Sequence, residues 1–181
     1  MLHKLPNILS VLRILLSVIL LFIANSFSLF LIIYLVAGLC NAITAQISLR
    51  LPHEEMTQTS LKSIGNLTFY LVCLYKLFFQ IPVKIPHVIQ MLIIGVFLLK
   101  VIAFLLTRWK FHIWSSLQTI GNKISGLLVF IFIPVCLYTH KMSFIPAVIL
   151  IVLIFLVTFE EILLILSSSH YDVNQKSIFT R

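Results

Sequence analysis

The chain has 181 residues, 61% hydrophobic and only 10% charged, with a mean hydropathy of +1.15. A soluble domain is about 45–50% apolar and about 25% charged, so the composition excludes a globule surrounded by water and predicts an integral membrane protein. The net charge of +8 comes from basic residues standing singly near the ends of apolar runs; without a basic stripe and interleaved aromatics it argues against nucleic acid and for topology and anionic headgroups.

Long, continuous Leu/Ile/Phe-rich runs without strict alternation predict helices rather than a barrel. A bilayer crossing needs roughly 20 apolar residues, and six such segments follow in order. The first carries His3, Lys4 and Arg13 around Pro6 and continues as apolar sequence from Ile14 to Ala24. A retained helix is expected rather than a cleaved signal peptide, because Arg13 lies deep in the segment and no small-x-small cleavage site follows. Asn25 and Ser26 make the turn. A second span is predicted over Ser28–Ser48, with Arg50, Pro52, His53, Glu54 and Glu55 as its polar exit. The third helix runs over Met56–Phe79, and Pro82 and Pro86 bracket the loop after it. A fourth span covers Val88–Leu106 and contains Lys100; Arg108 and Lys110 then mark a basic loop. The fifth span is Leu117–Tyr138 and the sixth Phe144–Leu166. The expected organisation is a six-helix transmembrane domain over residues 1–166 and a polar cytoplasmic tail over residues 167–181.

Topology follows from the basic residues. With six spans, one side collects Lys4, Arg13, Arg50, Lys62, Arg108, Lys110, Lys123, Lys176 and Arg181, and the other Lys76, Lys84 and Lys141. The excess places both termini in the cytoplasm. Cys40, Cys73 and Cys136 are far apart in apolar sequence and predict buried thiols rather than a disulfide framework or a zinc site.

Polar residues within spans are functional candidates by default: Asn41, Thr44, Gln46, Lys62, Asn66, Lys100, Gln118, Asn122 and Lys123. The bland alternative for the amides and hydroxyls is interhelical hydrogen bonding. For the lysines it is snorkelling to the interface, which suits Lys123 better than Lys100.

The stretch from Tyr34 to Leu67 reads YLVAGLCNAITAQISLRLPHEEMTQTSLKSIGNL. With Asn41 at the first position, Asn41, Thr44, Ala45, Ser48, Leu49, Gln58, Lys62 and Asn66 fall at the spacing D-x2-D-G-x2-A-R-x8-G-x3-D-x3-D. PNILSVLR (Pro6–Arg13) resembles a PNxLTxxR start, and QTIGNKISGLL (Gln118–Leu128) resembles a later helix with a G/N-K-x-S/T step. FEEILLI (Phe159–Ile165) adds a weaker likeness. On these residues the chain resembles the CDP-alcohol phosphatidyltransferase family of phospholipid synthesis. The resemblance implies six transmembrane helices with a polar cavity on the cytoplasmic side. In that family four Asp residues hold Mg or Mn ions that bridge the CDP diphosphate, and the last Asp activates the acceptor alcohol.

Here the four acid positions are Asn41, Thr44, Lys62 and Asn66. Hard cations require oxygen ligands, mostly carboxylates, and Lys62 repels a metal. None of Asn41, Thr44 or Asn66 is a carboxylate base. The expectation is a degenerate member with no catalytic residue, no metal and no cofactor. Arg13, Lys62 and Lys123 are the candidates for binding phosphate. Candidate partners are membrane lipid, an anionic phospholipid or CDP-linked lipid, a nucleotide and a second copy of the chain. The alternatives are an active phosphatidyltransferase with an atypical site and a small structural membrane protein.

Overall fold

The computed structural model describes residues 5–22, 27–50, 56–81, 83–117 and 119–168, without the side chains of residues 27, 45, 46, 48–50 and 56–58. The expected turn at Asn25 and Ser26, the exit around Pro52–Glu55, Gln118 and the tail from residue 169 lie outside the described residues. Six helices form: α1 (Leu5–Phe22), α2 (Phe27–Arg50), α3 (Met56–Phe79), α4 (His87–Phe111), α5 (Ile120–Thr139) and α6 (Phe144–Ser167). Two compact units divide the chain, Met1–Pro82 and Val83–Arg181.

Four helices, α1, α4, α5 and α6, are long and apolar enough to cross a membrane. Within α2 the described apolar stretch is shorter, Ser28–Thr44. α4, with 25 residues, is roughly 37 Å long against a hydrocarbon core of about 30 Å.

The first unit is α1 packed against α2 and α3. The buried residues of α1 are Pro6, Ser10, Arg13, Ser17 and Leu20, at steps of three and four that mark one helix face. Its exposed residues include Ile8, Val11, Leu15, Val18 and Ile19. Small and polar side chains face inward and aliphatic ones outward, the reverse of a soluble helix and the arrangement that suits lipid outside and close helix contact inside. Tyr34 on α2 stacks on Phe69 of α3 with ring centroids 5.5 Å apart, which adds roughly 0.5–1.5 kcal/mol to the burial of the rings.

In the second unit α6 packs against α4 and α5. Its two core clusters lie toward opposite ends. One joins Ile89, Cys136, Met142, Ala147 and Ile151; the other joins Ala103, Leu117, Leu164 and Ile165. Two helix ends are capped by side chains of the unit. Lys110 Nζ donates to the carbonyls of Ile165 and Leu166 at 2.9 and 2.8 Å, capping the C-terminus of α6. Thr119 caps α5 by accepting from the Asn122 amide at 3.2 Å. His112 and His140 end α4 and α5 in the left-handed conformation. Cys40, Cys73 and Cys136 are buried, free thiols.

Candidate functional site

Arg13 is the polar centre of the first unit. The face of α1 that meets α2 and α3 carries this guanidinium, which is 2% exposed. Nη1 donates to Asn41 Oδ1 of α2 at 2.6 Å, and Nη2 donates to the carbonyl of Lys62 on α3 at 2.7 Å. One side chain of α1 therefore touches both α2 and α3. Both acceptors are neutral, and Nε has no hydrogen-bond partner among the described residues. No carboxylate occurs among the described residues of this unit.

Gly65 makes the approach of α3 feasible. A Cβ there would meet Arg13 Nη2 at 2.8 Å and Nε at 3.3 Å, so a larger residue collides with the guanidinium. Small buried residues around it, Ser10 and Ser17 on α1 and Ser63 on α3, serve the same close approach. Ser17 Oγ returns to the Arg13 carbonyl at 2.8 Å, and Thr44 Oγ1 to the Cys40 carbonyl at 2.7 Å. These hydroxyls are spent on their own helices.

The candidate positions are thus placed in part. Asn41 and Lys62, 21 residues apart in the sequence, meet the same guanidinium. Thr44 and the Lys62 side chain are buried, and Asn66 is half-buried one turn beyond Lys62. Ala45, Ser48, Leu49 and Gln58 lie outside the described side chains. Lys123 belongs to the second unit, where its side chain is exposed. Among the described residues no group of three or more His, Cys, Asp or Glu could hold a metal ion.

A second polar centre lies in the second unit, and Glu161 is its one side chain that is not among the candidates from the sequence. Glu161 on α6 is fully buried. Its Oε2 accepts from Lys100 Nζ of α4 at 2.8 Å and from Asn122 Nδ2 of α5 at 3.0 Å; its Oε1 accepts from the Leu117 amide at 3.1 Å. Lys100 also donates to Asn122 Oδ1 at 2.5 Å, and Asn122 Nδ2 to the Leu117 carbonyl at 2.7 Å. Lys100 and Asn122 were singled out from the sequence as polar residues within spans; Glu161 was seen only as part of FEEILLI. The signal was there: a lysine in mid-span needs a counter-charge, and Glu160 and Glu161 are the only acids inside a predicted span.

No protein-family model, no curated protein and no solved structure matches this chain.

Proposed function

We propose that this is a six-span membrane protein of the CDP-alcohol phosphatidyltransferase type, with both termini cytoplasmic, that no longer transfers phosphatidyl groups and instead binds a phosphate-bearing anion, lipid or nucleotide, beside Lys62. The observation that carries the reading is the convergence of Asn41 and Lys62 on Arg13. The resemblance requires these motif positions of the second and third helices to lie close together, and one guanidinium touches both. A metal-dependent transferase needs carboxylates there, to offset the charge of the ions and to take the proton of the acceptor alcohol. Amide, hydroxyl and ammonium groups occupy those positions instead. An ammonium at membrane depth favours an anion over a cation as the group that shares its space.

A purely structural role is the second reading. It is favoured by the use of both Arg13 terminal nitrogens in tying helices together and by the closed Lys100–Asn122–Glu161 network.

The test has two arms. With CDP-diacylglycerol, Mg or Mn and a panel of acceptor alcohols, the purified protein should show no phosphatidyl transfer. Metal-dependent turnover that disappears on changing Asn41, Thr44 or Asn66 overturns the proposal in favour of an atypical active enzyme. In native mass spectrometry with CDP, CDP-diacylglycerol and phosphatidylglycerol, one of the three should bind the native chain and be lost from Lys62→Met, whose apolar stem fills similar space. Equal binding by both forms leaves only the structural reading.

A further inference from the structure

The end of the second unit remote from Glu161 carries a feature that the proposed function does not use. Lys84, in the connection leading to α4, and Lys141, between α5 and α6, form an isolated parallel β-bridge. The Lys84 amide donates to the His140 carbonyl and the Met142 amide to the Lys84 carbonyl, each at 3.1 Å. Directly paired residues send their side chains out on the same face, with Cβ atoms roughly 5 Å apart. The backbone bonds therefore start two lysine side chains from neighbouring positions on one face, within reach of a common anion, and both lysines are exposed. Like charges set opposite each other repel. Neither ammonium has a hydrogen bond or ion pair with a described residue. The only described acids, Glu160 and Glu161, lie roughly 25 Å away along α6.

The pair is preorganised. Met142, next to Lys141, is 7% exposed and sits in the core cluster with Ile89 and Cys136. His140 adopts φ 52° to turn α5 directly into the bridge, a conformation that side chains other than glycine rarely take. Tyr138 and Phe144 flank the turn, 84% and 53% exposed. Aromatics beside cations at the ends of long apolar helices are the mark of the headgroup layer.

We infer that Lys84 and Lys141 together bind the phosphate of an anionic phospholipid in the leaflet at this end of α4, α5 and α6. The inference rests on those three helices spanning the bilayer and is independent of ligand binding beside Lys62. One phosphodiester, bearing a single negative charge and two free oxygens, accepts a charge-assisted hydrogen bond from each ammonium and relieves their repulsion. A zwitterionic headgroup brings its own cation and gains less.

The experiment compares retention of phosphatidylglycerol and phosphatidylcholine by the purified full chain in native mass spectrometry. Lys84→Gln/Lys141→Gln should weaken retention of one phosphatidylglycerol about thirtyfold, at roughly a factor of five per lysine. Phosphatidylcholine should be unaffected. Lys84→Arg/Lys141→Arg, which keeps both charges, should retain the lipid and serves as the control for folding. The loss should be the same in a Lys62→Met background, which separates this site from the proposed ligand site. Unchanged phosphatidylglycerol retention in the Gln variant, an equal loss of phosphatidylcholine, or displacement of the lipid by millimolar inorganic phosphate would each overturn the inference.

Discussion

Gly65 and Gly95 are both helical glycines, yet the same substitution should act on them with opposite sign. Alanine gains up to about 1 kcal/mol over glycine in a helix interior. At Gly95 an added Cβ meets nothing within 4 Å, so Gly95→Ala should be neutral or stabilising by that amount. At Gly65 the new methyl meets Arg13 Nη2 at 2.8 Å. The guanidinium is the far end of a flexible side chain, but its bonds to Asn41 and Lys62 hold it in place. Overpacking of this kind costs about 1–3 kcal/mol, which outweighs the helix gain. Gly65→Ala should therefore melt earlier than the native chain in detergent and Gly95→Ala should not. A Gly65→Ala variant as stable as Gly95→Ala would mean that Arg13 does not hold α1 against α3.

At the level of elements, the second unit depends on an ion pair that joins α4 to α6, with Asn122 of α5 hydrogen-bonded to both charges. Breaking such a pair from one side costs about 3–5 kcal/mol, because the remaining charge is left buried and uncompensated. Lys100 is 27% exposed and Glu161 fully buried, so the loss falls at the lower end when Lys100 is the one removed. Lys100→Met should cost about 3 kcal/mol in unfolding measured in mixed micelles. Adding Glu161→Gln to that variant should recover at least half, since a neutral amide can still accept from the Leu117 amide. A double variant no more stable than Lys100→Met would show that hydrogen bonding, rather than charge pairing, holds these helices. Lys110 works at the same scale by a different means: its bonds to the last carbonyls of α6 tie the end of α4 to the end of α6.

For the whole molecule, length and hydropathy set which helices can cross the membrane, and the basic residues set the direction. α1, α4, α5 and α6 qualify by length and hydropathy. α3 carries Thr59, Lys62, Ser63 and Lys76 on its buried side, which lowers its average hydropathy without exposing polar groups to lipid. On that ground α3 should also span; with α2, whose described apolar stretch Ser28–Thr44 is shorter, counted as a sixth crossing, the proposed topology with both termini cytoplasmic follows from the charge bias. Reporter fusions at Arg181 and within residues 80–87 should label opposite sides of the membrane. Labelling on the same side would require an odd number of the last three helices to lie outside the bilayer.

The sequence by itself determined the class and the elements. Long apolar runs between polar breaks are a local property, and all six predicted helices form, α3 over the expected range; α4 runs on past Leu106 to Phe111, so Arg108 and Lys110, expected in a loop, form its last turn. α1 begins at Leu5, so Arg13 lies deep within it, as expected, and Pro6 falls in its first turn. Pro6 is tolerated in a first turn, where its missing N–H has no helical partner to lose. What the sequence could not supply is which polar groups meet. Arg13 reaches Asn41 and Lys62 across 28 and 49 residues, and Lys100 reaches Glu161 across 61. Helical periodicity places a residue on a face but does not say which helix that face will meet. The pairing of Lys84 with Lys141 is the extreme case, since two lysines in separate polar connections carry no pattern that links them. Only tertiary packing, through close contact of small-residue faces and hydrogen bonds between helices, brought those residues together and settled where the charges of this chain had to be answered.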